Sequence, residues 1–130
     1  MRNVICFSFR NMQFFPQANL QGFNFFKPLH ADQFSSSITA AMVYDCLADW
    51  YHGSKVVHMG AAAANHSDVP PLLAADGLAG CNDMELFVFS DTVEKRFWIT
   101  ARLDNLGKGA SGAAVQNMNI ALGLNETLGL

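Results

Sequence analysis

The chain has 130 residues, 51% of them hydrophobic, and a formal net charge of -3. That is one domain's worth of chain with enough apolar content for a packed core, which argues against disorder. The acidic balance and the absence of any Lys/Arg cluster argue against a nucleic-acid binder, and no apolar run approaches the roughly 18 residues of a membrane span.

The three cysteines, Cys6, Cys46 and Cys81, are odd in number and widely spaced. They form no CxxC and no paired framework, so a reducing, cytoplasmic compartment is expected. The four histidines, His30, His52, His58 and His66, make neither HxxxH nor HExxH, and no metal site is expected.

In chain order, the first 26 residues hold seven of the eleven phenylalanines and just two charges, Arg2 and Arg10. Val4 to Phe9 and Leu20 to Phe26 read as strands, interrupted at Pro16 and Gly22. These are either ordinary core strands or a sticky surface that a missing segment or partner covers.

Ser35, Ser36 and Ser37 precede an apolar-periodic run, so one of them is expected to cap a helix over Ser36 to His52. Ile38, Met42, Cys46, Leu47, Trp50 and Tyr51 recur at near-helical spacing and are expected to face the core, with Gly53 ending the helix. Lys55 to Met59 is a short strand candidate. Gly60 to Gly80 reads as a loop with one short helical turn.

Met84 to Phe89 and Lys95 to Leu103 predict an antiparallel hairpin, with Asp91 to Glu94 as its polar loop. Arg102 faces two readings, bidentate contact with a substrate anion or an ion pair with Glu85 across the hairpin. The pairing is preferred. Cys81 precedes a strand rather than opening a helix, so nothing is expected to activate its thiol, and it reads as a small semi-buried residue. An independent small enzyme using Cys81 is the weakest functional reading.

The stretch that follows is the most specific. Gly107 to Gly112 spells GxGxxG between a strand and a helix over Ser111 to Leu122. A dinucleotide fold needs a second parallel strand after that helix and an acidic residue about 20 positions on. The chain stops at Leu130 and Glu126 falls too early, so that reading is rejected. What remains is a helix entry with bare backbone, free N–H groups and the charge of Lys108. Gln116, Asn117 and Asn119 add three carboxamides that suit another amide or a hydroxyl. The ordinary alternative is a glycine-rich helix entry with a polar outer face.

Asp104-Asn105-Leu106-Gly107-Lys108-Gly109-Ala110-Ser111-Gly112-Ala113-Ala114-Val115-Gln116-Asn117-Met118-Asn119, closing with Gly123 to Leu130, resembles the C-terminus of N-acetyl-γ-glutamyl-phosphate reductase. The family ending reads roughly DNLxKGAxGxAxQNxN and then G-L-x-E-T-x-G-L. A common variant has Gln where this chain has Ala113. Upstream, Gly80-Cys81-Asn82 resembles the family's Gly-(Ser/Thr)-Asn turn, and Phe14 to Gly22 with Lys27 to His30 loosely resembles the strand after its catalytic histidine.

The resemblance implies an α+β domain with a mixed, largely antiparallel sheet and covering helices, like the C-terminal domain of the glyceraldehyde-3-phosphate-dehydrogenase-like fold. The nucleotide-binding Rossmann domain is expected to be missing, and with it the nucleophilic cysteine and the histidine. Residues 1–103 correspond to a partial catalytic and dimerisation domain, and 104–130 to a loop and helix packing on the absent domain. Asn105, Lys108, Gly109, Gly112, Gln116 and Asn117 are implied as NADP-side positions, Gly80 and Asn82 as a substrate-side turn, and no residue as catalytic. The implied reaction is NADP-dependent reduction of an acyl phosphate to an aldehyde in arginine biosynthesis. Its implied partners are a small-molecule substrate and either a second copy or the missing domain. The chain alone is expected to be inactive. The alternative is a non-catalytic dimerisation or scaffold module derived from that family.

Overall fold

A computed structural model describes residues 22–61, 73–91, 93 and 95–130. The expected strand at Val4 to Phe9, Cys6, His66 and most of the alanine-rich loop lie outside the described residues.

Among the described residues there are four strands and two helices: β1 (Gly22–His30), α1 (Ala40–Trp50), β2 (Val57–Met59), β3 (Met84–Ser90), β4 (Arg96–Asp104) and α2 (Gly112–Ala121). Short 3-10 turns cover Ala31–Gln33 and Ala75–Leu78, and a π-helical turn covers Gly107–Ser111. The sheet order is β1-β4-β3-β2. β4 pairs antiparallel with β1 and β3, whereas β2 runs parallel to β3. The fold is therefore α+β with a mixed, largely antiparallel sheet.

The hairpin forms as expected, closed by Asp91, whose carboxylate accepts from the N–H groups of Lys95 and Arg96 and pairs with the Arg96 side chain. β1 runs further than expected. Gly22 opens the strand instead of breaking it, and Pro28 lies within it. β1 is the outer member of the described strands, where a residue without an N–H is tolerated. Gly22 is needed because Ala75 crosses directly over it, leaving 2.0 Å between the Ala75 carbonyl oxygen and any Cβ there.

Alternation along the strands divides the sheet into two faces. One carries Leu29, Phe97 and Val88, which α1 covers with Ala40, Val43 and Leu47 to make the core. The other carries Asn24, Arg102 and Glu85 side by side in register.

Two expectations about α1 are corrected. The N-cap is Thr39, whose Oγ1 accepts from the Met42 N–H at 3.2 Å, and not one of the three serines. The buried stripe is Ala40, Val43 and Leu47, while Met42 is 53% exposed, Trp50 is 72% exposed and Cys46 lies on the surface. Both stripes have helical spacing, so periodicity alone does not choose between them. The small and branched side chains win because they let the helix approach Val88 and Phe97 closely. Tyr51 does pack against the core, and Gly53 with φ of 81° follows the helix end as expected.

Candidate functional site

The site begins at the C-terminal end of β4, where three side chains on one face have different tasks. Thr100 is fully buried. Arg102 binds Glu85 on β3 through both Nε, at 2.9 Å, and Nη2. Its Nη1 donates to the Ala74 carbonyl at 3.3 Å, and its guanidinium lies 5.5 Å from the centre of the Phe87 ring. The cross-hairpin pairing is thus the one that forms. Together with Asn24, whose Nδ2 donates to the Leu73 carbonyl at 3.2 Å, Arg102 fastens the segment 73–78 across this face.

Asp104 ends the strand. Its Oδ1 accepts from the Leu106 N–H at 3.2 Å, and its Oδ2 accepts from the Gly107 N–H at 3.1 Å and the Gly80 N–H at 3.2 Å. The first two bonds form a turn of the kind that Asp makes with backbone two and three residues on. The third reaches a different segment.

The glycine stretch is not an open loop. Gly107–Ser111 is a π-helical turn that continues into α2, with Ser111 N–H and Ser111 Oγ both donating to the Leu106 carbonyl. The expected free N–H groups at its start are occupied at Leu106 and Gly107, because the chain supplies its own carboxylate there. A bound phosphate at that point meets the negative charge of Asp104 instead of bare donors.

The two sets of residues singled out in the sequence come together. Gly80 and Asn82 stand against the π-turn and the first residue of α2. A Cβ on Gly107 sits 2.8 Å from the Cys81 carbonyl oxygen, and one on Gly112 sits 1.9 Å from Asn82 Oδ1. Gly112 is buried in this contact. Asn82 Oδ1 is itself buried without a hydrogen-bond partner.

The remaining positions differ in exposure. Asn105, Gly109 and Asn117 are exposed. Lys108 Nζ donates to Gln116 Oε1, and Gln116 Nε2 donates to Glu126 Oε2 at 2.9 Å, so these two are engaged within the chain. Burial holds the Lys108 ammonium pKa below the usual lysine range, and the charges of Glu126 and Asp83 oppose that shift. Asn119, expected among the outward carboxamides, is 2% exposed; its Nδ2 donates to the carbonyls of Glu126 and Leu128 and anchors the tail. Lys55 Nζ reaches Asn125 Oδ1 at 3.1 Å, which ties the tail to the entry of β2.

In the sequence Asp104 stands out only as part of a motif, and nothing there marks Asn119 or Glu126 as anchors of the tail. The Asp-x-x-Gly spacing at 104–107 was the available signal, since it is the spacing of a side-chain-capped turn. Cys81 is exposed in the turn before β3, not semi-buried as expected, and it opens no helix. Among the described residues no group of three metal-binding side chains occurs, and no helix is long and apolar enough to cross a membrane.

The exposed positions present amide and bare-backbone chemistry. Both groups donate and accept hydrogen bonds.

No family model matches the chain. It is similar to the N-acetyl-gamma-glutamyl-phosphate reductase of Trichormus variabilis, with 45% identity over 95 residues, covering 68% of this chain and 28% of the relative. N-acetyl-gamma-glutamyl-phosphate reductase 2 of a Nostoc species matches to the same extent. The reductase of Brucella ovis is 42% identical over 96 residues, covering 74% of this chain and 30% of the relative. The chain thus spans less than a third of the length of the curated relatives it matches.

Proposed function

We propose, from the chain's resemblance to part of N-acetyl-γ-glutamyl-phosphate reductase, that it supplies the C-terminal part of an enzyme reducing N-acetyl-γ-glutamyl phosphate to N-acetylglutamate semialdehyde in arginine biosynthesis. The observation that carries the reading is the convergence of Gly80-Asn82 and the 104–119 stretch on one place, joined through Asp104. These are the two segments that the family resemblance marks as substrate-side and cofactor-side.

In this reading residues 1–103 belong to the catalytic and dimerisation domain, in the manner of the glyceraldehyde-3-phosphate-dehydrogenase-like fold. Residues 104–130 pack on a nucleotide-binding domain carried by the part of the enzyme that the chain does not match. Asn105, Gly109 and Asn117 face that domain and the amide end of NADP. Lys108, Gly112 and Gln116 act one step removed, by holding the turn in shape. NADPH supplies hydride when bound, and the phosphates of the cofactor are held elsewhere. The chain's own residues orient the turn and keep its backbone donors satisfied; none of them is assigned as nucleophile or proton carrier. The compartment is cytoplasmic.

The experiment is genetic. The chain is expressed with the part of the Trichormus variabilis reductase that it does not match, in a bacterial strain lacking this reductase. Growth without arginine, absent when either piece is omitted, supports the reading. No growth, with both pieces soluble and the full relative restoring growth, rejects it. A second reading, a non-catalytic dimerisation module, draws on the exposed apolar side chains Met118, Ile120, Leu122 and Leu128. It predicts concentration-dependent self-association that NADPH does not alter.

A further inference from the structure

We infer that Asp104 is a positioning residue, one that sets where the Gly80–Asn82 turn stands relative to the Gly107–Ser111 turn. The inference rests on the reductase reading for the statement that these turns flank one site. The hold itself is measurable without that reading.

Asp104 is 5% exposed, and among the described residues no cation forms an ion pair with it. A buried carboxylate without a counter-ion needs hydrogen-bond donors. It has three backbone N–H groups: those of Leu106 and Gly107 from its own downstream chain, and that of Gly80 from 24 residues upstream. Among the described residues, the Gly80 bond is the hydrogen bond that joins the two turns. Their other contact is packing of bare backbone, with Gly107 against the Cys81 carbonyl and Gly112 against an Asn82 oxygen that has no partner. Packing of that kind fixes how close the turns come. The direction of approach is set by the charged acceptor, because charge-assisted hydrogen bonds are the stronger and more directional kind.

The two oxygens divide the work. Oδ2 takes Gly80 and Gly107, and Oδ1 takes Leu106. An asparagine has the same shape but one acceptor oxygen. Placed at 104, it keeps either the Leu106 bond or the Gly80 and Gly107 pair, and turns its NH2 toward an N–H on the other side. Asp104 therefore acts through the loops, without touching a reacting group.

The test is Asp104→Asn in the full chain, read by backbone amide exchange. Exchange at Leu106, or at Gly80 and Gly107 together, is expected to accelerate by about tenfold, the equivalent of one lost hydrogen bond. The amides of Phe87 and Thr100, opposite each other inside the hairpin, should keep their wild-type rates. Unchanged exchange at all three turn amides overturns the inference. So does an equal rise at Phe87 and Thr100, because that marks general loss of stability. In the reductase reconstituted with the unmatched part of the Trichormus variabilis enzyme, Asp104→Asn is expected to lower kcat by about tenfold or more through misplacement alone, leaving the KM for NADPH nearly unchanged. An unchanged kcat overturns the positioning role. An inactive wild-type mixture rejects the reductase reading, and the exchange rates then decide whether Asp104 holds the turns.

Discussion

The side-chain oxygen of Asn82 occupies the space that any side chain at position 112 needs: a Cβ built on Gly112 falls 1.9 Å from Asn82 Oδ1 and 2.9 Å from the backbone of Gly107. Within a helix, Gly→Ala ordinarily stabilises by up to about 1 kcal/mol. Here the sign reverses. Gly112→Ala is expected to destabilise the chain by about 1–3 kcal/mol, the usual range for overpacking. Gly109→Ala is expected to cost less, since its nearest obstacles are the Asp104 carbonyl oxygen and Leu103 Cδ1, both 3.1 Å from its Cβ position. Urea unfolding of the two variants beside the wild type checks the order.

Arg102 and Glu85 are the partners whose pairing closes the polar face of the hairpin. Their side chains are 17% and 28% exposed, so neither is freely solvated. A double-mutant cycle with Arg102→Met and Glu85→Gln is expected to give a coupling energy of about 1 kcal/mol or more, above that of an exposed pair. Arg102→Met alone is expected to cost more than Glu85→Gln alone, because it also releases the Ala74 carbonyl.

Asn119 and Asn117 are two residues apart and differ in kind. Asn119→Ala removes both bonds to the tail and is expected to destabilise by about 1–3 kcal/mol. It should also raise amide exchange at Leu128 and Leu130, whose N–H groups close the tail turns. Asn117→Ala is expected to leave stability within about 0.5 kcal/mol, as for most surface positions.

Lys108 predicts a pH dependence. Burial lowers its pKa in the folded chain, so the unfolded chain holds that proton more tightly. Stability then rises with pH between the folded pKa and the unfolded value of about 10.4. Urea unfolding of wild type and Lys108→Met at several pH values across that window checks it. The difference is expected to move in favour of wild type as pH rises, and a difference flat in pH contradicts the shift.

The hairpin and its Arg102–Glu85 pair were legible because both rest on alternation and neighbouring register, which are local properties. The mixed sheet was legible too, with β2 and the hairpin in place. The outward stripe of α1 was not. Met42, Cys46 and Trp50 repeat as regularly as Ala40, Val43 and Leu47, and only the approach of Val88 and Phe97 selects between them. Trp50→Ser, at a position 72% exposed, is accordingly expected to leave stability within about 0.5 kcal/mol. At the candidate site the sequence marked the right stretch and misread its backbone. Three glycines suggested an open loop with free donors, but the carboxylate three residues before Gly107 folds the stretch into a helical turn and takes those donors itself. What no local pattern announces is the third bond to that carboxylate, from the N–H of Gly80 far away in the chain.

The most direct measurement is reductase activity in a purified mixture of this chain and the unmatched part of the Trichormus variabilis enzyme. NADPH consumption is followed with N-acetyl-γ-glutamyl phosphate as substrate. The account predicts turnover that needs both pieces, with no activity from the chain alone and a saturable dependence on its concentration. Activity from the chain alone, or no activity from a mixture in which the two pieces demonstrably associate, contradicts it.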